Sequence, residues 1–518
     1  MNGVRDRIRF GASAALAALV ATALIRTDAP AQQGGEDLPR PPYRIEEIPT
    51  PPGQVPETGG IDFLPDGRVV AVFHHGEILI YDPKSSEWSV FATGLHDPLG
   101  VVVINEREMI VGQRPEVTRV VDTDGDGKAD LFETISDEFG MSGNYSEFLH
   151  GPIMAADGSL YFSLNTASNN GPVRPIIRGD YSPRGRIGRM FSAVEYRGWV
   201  MKITPDGKTI PWASGFRSPN GLALDREGNL FVTDNQGDWL GTSKLFHVQP
   251  HGFHGHPPSL AWEEGITTIP LAIPVPVLDR MRVKEIVQFP TGVLANSPTQ
   301  PVFDYTGGKF GPFEGQMFVG EMNHPVIMRV MLEEVNHQLQ GAVAPFIEGE
   351  PLRLGSNRLA FAPDGSLWVG HTDHGWLGAE GITRIVWTGE MPMEILRMNL
   401  TEHGFDLTFT KPVDRQVASQ AATYDFQRYY YEYSINYGSP QHDKQPVAVE
   451  DVQVSEDGRK VSLRLAELVP GYVYELNLKG LVDAEGNPMV NTRIYYTLNQ
   501  LKQAGAAAPA YQATGTEE

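Results

Sequence analysis

The chain has 518 residues, 41% hydrophobic and 20% charged, a composition of globular proteins that excludes wholesale disorder. Acidic side chains outnumber basic ones 64 to 42, and the formal charge of −22 repels nucleic acid and anionic lipid. With no cysteine, disulfides, thiolate metal sites, a cysteine nucleophile and CxxCH haem attachment are all excluded.

At the N-terminus, Arg5, Arg7 and Arg9 precede an apolar run from Phe10 to Ile25, followed by Ala29-Pro30-Ala31. That order predicts a secretory signal peptide over 1–31. The mature protein would then be exported, periplasmic or extracellular, with no membrane span after cleavage. Seven prolines between Pro39 and Pro56 predict an extended linker over 32–56.

One phrase then recurs, in which apolar residues flank a tight turn and a short strand follows. It reads IDFLPDGRVVAVF at 61–73, IMAADGSLYFSL at 153–164, GLALDREGNLFVTD at 221–234 and LAFAPDGSLWVG at 359–370. Looser copies are VVVINEREMIVG at 101–112 and FGPFEGQMFVG at 310–320. Asp-Gly between alternating apolar runs is a hairpin signal, and six copies predict a six-bladed β-propeller over 57–390. Successive turns lie 40, 51, 70, 87 and 50 residues apart, so blades 3 and 4 carry long insertions. From about Met391 the blade phrase stops while period-two alternation continues, which predicts a small Ig- or fibronectin-like β-sandwich over 391–499. The Ala- and Gly-rich stretch 500–518 predicts a disordered tail. The fold class is therefore all-β.

Candidate functional residues fall in the loops between these elements. Asp122, Asp124, Asp126, Asp130 and Glu133 stand at positions 1, 3, 5, 9 and 12 of one loop, with Gly127 at 6 and Lys128 at 7. That is the oxygen-ligand spacing of a Ca²⁺ loop, in which the residue at 7 contributes its carbonyl. His150 precedes Gly151-Pro152 at the start of the third blade, a place for a general base or for a packed histidine. Arg217 in GFRSPNG and Arg358 in GSNRLAF also precede a blade phrase, and Lys309 in DYTGGKFG is expected on the same face. Converging cations there would hold an anionic ligand or pair with neighbouring carboxylates. Asp234 to Trp239, reading DNQGDW, suits a carbonyl-lined cation site or a turn. His247, His251, His254 and His256 crowd into ten residues of loop and are a candidate transition-metal cluster. Asp373 and His374 are placed to line the mouth from the sixth blade.

GFRSPNGLALDREGNLFVTDNQGD followed by GFHGHP resembles the signature of the soluble quinoprotein glucose/sorbosone dehydrogenases, over most of 60–390. DTDGDGKAD, DNQGDW, GSNRLAFAPDG and the YGSP-containing sandwich are closest to its membrane-bound or haem-associated dehydrogenase branch. The resemblance implies a six-bladed propeller that binds pyrroloquinoline quinone (PQQ) and Ca²⁺ over the channel and oxidises a sugar or related alcohol. His150 would take the hydroxyl proton and Arg217 would stabilise the reducing quinone. The carbonyls of Gly237 and Asp238 would hold Ca²⁺, and Lys309 and Arg358 would pair with quinone carboxylates. Electrons would pass to a separate acceptor such as a cytochrome c or another haem-binding protein.

Three positions depart from the family pattern: Leu149 replaces an Asp, Ser218 replaces an Asn, and His96-Asp97-Pro98 stands where a Gln is expected. A buried carboxylate beside an imidazole orients it and stabilises its charged form, so the change at Leu149 bears on catalysis directly. Two other functions are therefore open. One is a non-catalytic propeller that recognises carbohydrate or scaffolds a redox complex; the other is a metal-dependent lactonase.

Overall fold

In a computed structural model, the structure describes residues 39–502 apart from 174–176 and 376. The expected signal peptide and most of the expected tail lie outside the described residues.

Each Asp-Gly phrase folds as the first hairpin of a four-stranded antiparallel sheet. In blade 1 the strands are Thr58–Phe63, Val69–Phe73, Glu77–Asp82 and Glu87–Ala92. The glycine of the turn takes the left-handed conformation, at φ +90° for both Gly67 and Gly365, where other residues are strained. Second strands such as Val69–Phe73 and Leu160–Leu164 are buried along their whole length, because neighbouring blades cover both faces. Continuous apolar runs are what such a strand requires. The first strand of each sheet packs beside that of the next, and the first strand of blade 6 returns to blade 1. The six sheets thus close a ring. Near its axis the chains approach so closely that a Cβ on Gly100 would collide with the Gly151 carbonyl.

The linker reading of 32–56 is corrected in part. Tyr43–Ile48 is a strand, paired antiparallel with Gly381–Trp387 from Tyr43↔Trp387 to Ile48↔Ile382. The N-terminal segment thereby supplies the fourth strand of blade 6 and locks the ring with residues more than three hundred positions away.

The C-terminal strands form two sheets around Phe405, Leu407, Phe426, Tyr474 and Tyr496, all buried. One sheet is continuous with blade 5, whose outer strand Gln338–Glu348 pairs with Arg493–Leu498 (Gly341↔Thr497 to Val343↔Tyr495). Between Tyr424–Tyr430 and His442–Val447 the chain leaves this sheet as an arm. Its strand Tyr433–Tyr437 pairs with Asp238–Leu240 in the loop after the second strand of blade 4. Among the described residues no helix is long and apolar enough to cross a membrane.

Candidate functional site

His150 opens the first strand of blade 3 (Leu149–Met154) and Arg358 lies in the first strand of blade 6 (Ser356–Phe361). Both point into the axis of the ring, where Arg358 Nη2 donates to His150 Nδ1 at 2.9 Å. The guanidinium also donates to the Gly59 carbonyl (2.8 Å), the Leu99 carbonyl (3.1 Å) and Asn220 Oδ1 (2.7 Å). Asn357 adds its carbonyl at 2.9 Å and its Oδ1 at 3.1 Å. One side chain therefore ties blades 1, 2, 3, 4 and 6 together. Its donors are spent, so Arg358 is not free to pair with a cofactor carboxylate as the resemblance implied.

The same geometry corrects the role of His150. Arginine only donates, so Nδ1 must accept and the neutral ring carries its proton on Nε2. Burial, followed by the Arg358 charge, holds the imidazole pKa well below its usual value, which keeps that neutral form. A histidine so held offers an N–H donor to a ligand and has no lone pair left for a substrate proton. Leu149, fully buried, supplies no carboxylate to reverse this polarity.

On the blade 4 side, the backbone N–H groups of Arg217 and Ser218 donate to the two oxygens of Asp234 (3.0 and 2.8 Å). Asp234 is thus a loop clamp with no exposed surface. Arg217 is buried, and its Nε lies 3.5 Å from Asp238 Oδ1 with neither atom hydrogen-bonded. A Cβ on Gly237 would strike this guanidinium, which explains the glycine. The Gly237 carbonyl, expected to hold Ca²⁺, accepts the Gly438 N–H at 3.0 Å, and Asp238 is enclosed in the ladder opposite Tyr437. The Tyr437 ring stands 5.6 Å from the Arg217 guanidinium. Sequence reasoning missed this cap because nothing in YEYSINYG announces where an arm will dock.

Lys309 lies at the other end of the ring. Its Nζ donates to the Pro363 carbonyl at 3.0 Å, in the turn that follows the strand of Arg358. Five residues of extended chain separate Pro363 from Arg358, roughly 15 Å. The first strand of blade 5 is Pro298–Phe303, so DYTGGKFG is part of a long turn after it and does not precede it.

The four clustered histidines disperse. His254 Nδ1 donates to the Ser214 carbonyl (3.1 Å) while the ring stacks on Phe216 at 4.6 Å. His256 Nε2 donates to the Met190 carbonyl (3.3 Å), and His247 stacks on Phe231. Burial pulls both His254 and His256 down to about 4, as neutral core groups.

Asp122, Asp124 and Asp126 do come together, each with an oxygen within 4.8 Å of the others. The Asp130 and Glu133 carboxylates are held by neighbouring side chains, and Lys128 bonds within the loop. Asp130 accepts from Thr123 N (2.9 Å) and Oγ1 (2.7 Å), Glu133 pairs with Arg119 (3.1 Å), and the Lys128 N–H donates to Asp126 (2.8 Å).

On the rim between blades 6, 1 and 2 stands a group of which sequence reading named His374 as lining the mouth and Asp97 only as a departure from the family pattern. His74, Asp97 and His374 converge, with Glu57 and Arg114 behind them. The hydrogen bond to Asp97, against burial and with help from Glu57, pushes His374 up to about 9. Burial would raise the Asp97 carboxyl, yet bonds from His374, His74 and Arg114 hold it well below the usual range. The three residues are scattered over the sequence, but each sits where a second strand has ended or a first strand is about to begin.

No curated protein matches the chain. Solved structures of similar fold include a Thermus thermophilus protein assigned as an oxidoreductase (glucose dehydrogenase), at 18% identity and TM-score 0.48, with 66% of this chain and 100% of that one covered. Soluble aldose sugar dehydrogenase of Escherichia coli in its apo form follows at 14% and 0.47, covering 67% and 99%. The PQQ-bound aldose sugar dehydrogenase of Streptomyces coelicolor is similar at 16% and 0.45, over 67% and 99%. Residues 80–372, more than half of the chain, match the family model described as Domain of unknown function (DUF7133), and the chain belongs to that family.

Proposed function

We propose that the chain is an exported oxidoreductase that acts on a hydroxyl of a sugar or related alcohol at the channel mouth, with PQQ as the cofactor to test first. The observation that carries this reading is Arg217, a buried cation whose Nε makes no hydrogen bond and faces Asp238 Oδ1 only at 3.5 Å, beside the axis of a six-sheet ring. For a quinone polycarboxylate, Arg217 fits as an anchor. Arg358, Lys309 and the Gly237 carbonyl do not, since the first and last are already engaged and Lys309 stands at the opposite end. The implied calcium–quinone cradle is therefore not assembled from the expected residues, and no step is derived through it. What this chain's own groups supply is orientation: His150 Nε2–H donates to a ligand oxygen, and Arg217 attracts negative charge. Calcium in the Asp122 loop would act structurally, on the outer edge of blade 2. Electron transfer to a cytochrome c or other haem protein, docked on the C-terminal sandwich, completes the reading.

The donor polarity of His150 favours a second reading, carbohydrate recognition or redox-complex scaffolding without turnover. One experiment separates the two. The purified chain is titrated with PQQ and Ca²⁺ while quinone absorbance is followed, and an aldose with an artificial acceptor is then added. Dye reduction that falls about a hundredfold in Arg217→Ala, and is unchanged in Lys309→Ala, is the expected result. Quinone binding without dye reduction leaves recognition as the function. A folded protein that binds no quinone ends the dehydrogenase reading.

A further inference from the structure

We propose that His74, Asp97 and His374 form a binding site for a divalent transition ion with tetrahedral preference, such as zinc, on the rim of the channel. Asp97 Oδ1 lies 3.3 Å from His74 Nδ1 and 3.2 Å from His374 Nε2. An ion at about 2.0–2.1 Å from each ligand of a tetrahedron sets those ligands ~3.3 Å apart. The two imidazoles stack at 4.2 Å with planes 22° apart, and each has a nitrogen beside the same carboxylate oxygen.

Such spacings also suit N–H···O bonds, and a further observation favours the ion, the outer shell. His374 Nδ1 donates to Glu57 Oε2 at 2.8 Å, which leaves Nε2 as the inward nitrogen. Arg114 holds the other Asp97 oxygen from Nε (3.0 Å) and Nη2 (2.7 Å). A carboxylate behind a ligating histidine, and a fixed second oxygen on a ligating aspartate, are the usual supports of a metal centre.

Charge agrees with a cation. Asp97 and Glu57 bring two negative charges against the single positive charge of Arg114. Three protein ligands leave a fourth position for water or a substrate oxygen, as in catalytic rather than structural sites. The site adjoins the axis through Arg114, whose guanidinium covers the Phe148 ring at 4.3 Å, itself 5.9 Å from the His150 ring. It is defined by its own residues and holds whether or not a quinone binds.

The test uses the full chain, stripped with a chelator and titrated with Zn²⁺, then with Co²⁺ as a spectroscopic substitute. We expect one ion per chain and the intense visible bands of tetrahedral Co²⁺, both lost in Asp97→Asn and in His374→Ala. His374 is partly exposed, so its replacement leaves a folded protein, checked by circular dichroism. Asp124→Asn and His247→Ala are expected to retain both signals. Absence of a stoichiometric ion in the wild-type chain would overturn the site and leave an imidazolium held between two carboxylates. Ion binding that survives His374→Ala overturns it equally.

Discussion

The channel mouth is built in two unlike ways on its opposite sides. Around blades 6, 1, 2 and 3 it consists of side chains: Arg358 bonds His150, and Asp97 bonds His74 and His374, all within the propeller. Around blade 4 it consists of backbone: Asp234 clamps two N–H groups, and Gly237 and Asp238 pair with the arm from the sandwich. The first half is completed by the ring itself, with its N-terminal strand as the lock. The second is completed by another part of the chain. The C-terminal sandwich is therefore a component of the site, continuous with blade 5 and laid over Arg217.

Arg358→Ala is the largest way to break this arrangement. The substitution leaves the Gly59 carbonyl and Asn220 Oδ1 without this donor and the Leu99 carbonyl with only the Gly151 N–H, and it strands His150. Buried, multiply bonded cations of this kind cost about 4 kcal/mol to remove. Urea unfolding measures the loss, and a change below about 1 kcal/mol would mean that the ring does not depend on its axis.

Acid tests whether the two halves come apart together. Burial pulls His254 and His256, beside blade 4, and His371, in blade 6, each down to about 4. Below the unfolded value near 6.5 the unfolded chain binds protons that the native chain refuses. Stability is thus fully present above pH 6.5 and falls as pH drops toward 4, by up to about 3 kcal/mol per histidine. Because these histidines lie on both sides, one cooperative transition is expected at every pH. His371→Gln should lessen the slope of unfolding free energy near pH 5 by about 1.4 kcal/mol per pH unit. A slope that does not change would place the proton uptake elsewhere.

The two halves also differ in how much of them could be read from the sequence. Repetition revealed the ring, since a hairpin is local and each Asp-Gly turn announces one. It also placed His150 and Arg358 at one end, because both precede a phrase. Lys309 was misplaced where the phrase is loosest: the true first strand, Pro298–Phe303, carries no Asp-Gly signal, and the turn was read as an entry loop. Tyr43–Ile48 was hidden among prolines because its partner is distant and its pattern short. His74 was passed over for the same reason, and Asp97 was noticed only as a replacement for an expected Gln, since the two meet only once the ring closes. The Asp122 loop shows the converse limit. Its spacing is complete in sequence, yet Asp130 and Glu133 are drawn to Thr123 and Arg119 by the strand that follows.

The smallest effect addresses the arm directly. Tyr437 covers Arg217 and is itself covered by Arg189 at 4.2 Å, yet it is 48% exposed, so little apolar area is at stake. Cation–π contacts at such partly exposed positions contribute about 0.5–1 kcal/mol each, and Tyr437→Ala should cost about 1 kcal/mol in global stability. Its local effect should be larger in kind. The Gly438 N–H and the ladder from Asp238 to Leu240 are what hold the arm down, and the substitution weakens only the side-chain contacts above them. Amide exchange over 236–240 should quicken while the Arg358 strand, Ser356–Phe361, stays protected. Equal acceleration in both segments would show that the halves of the mouth share one opening motion, and that the arm braces the whole ring.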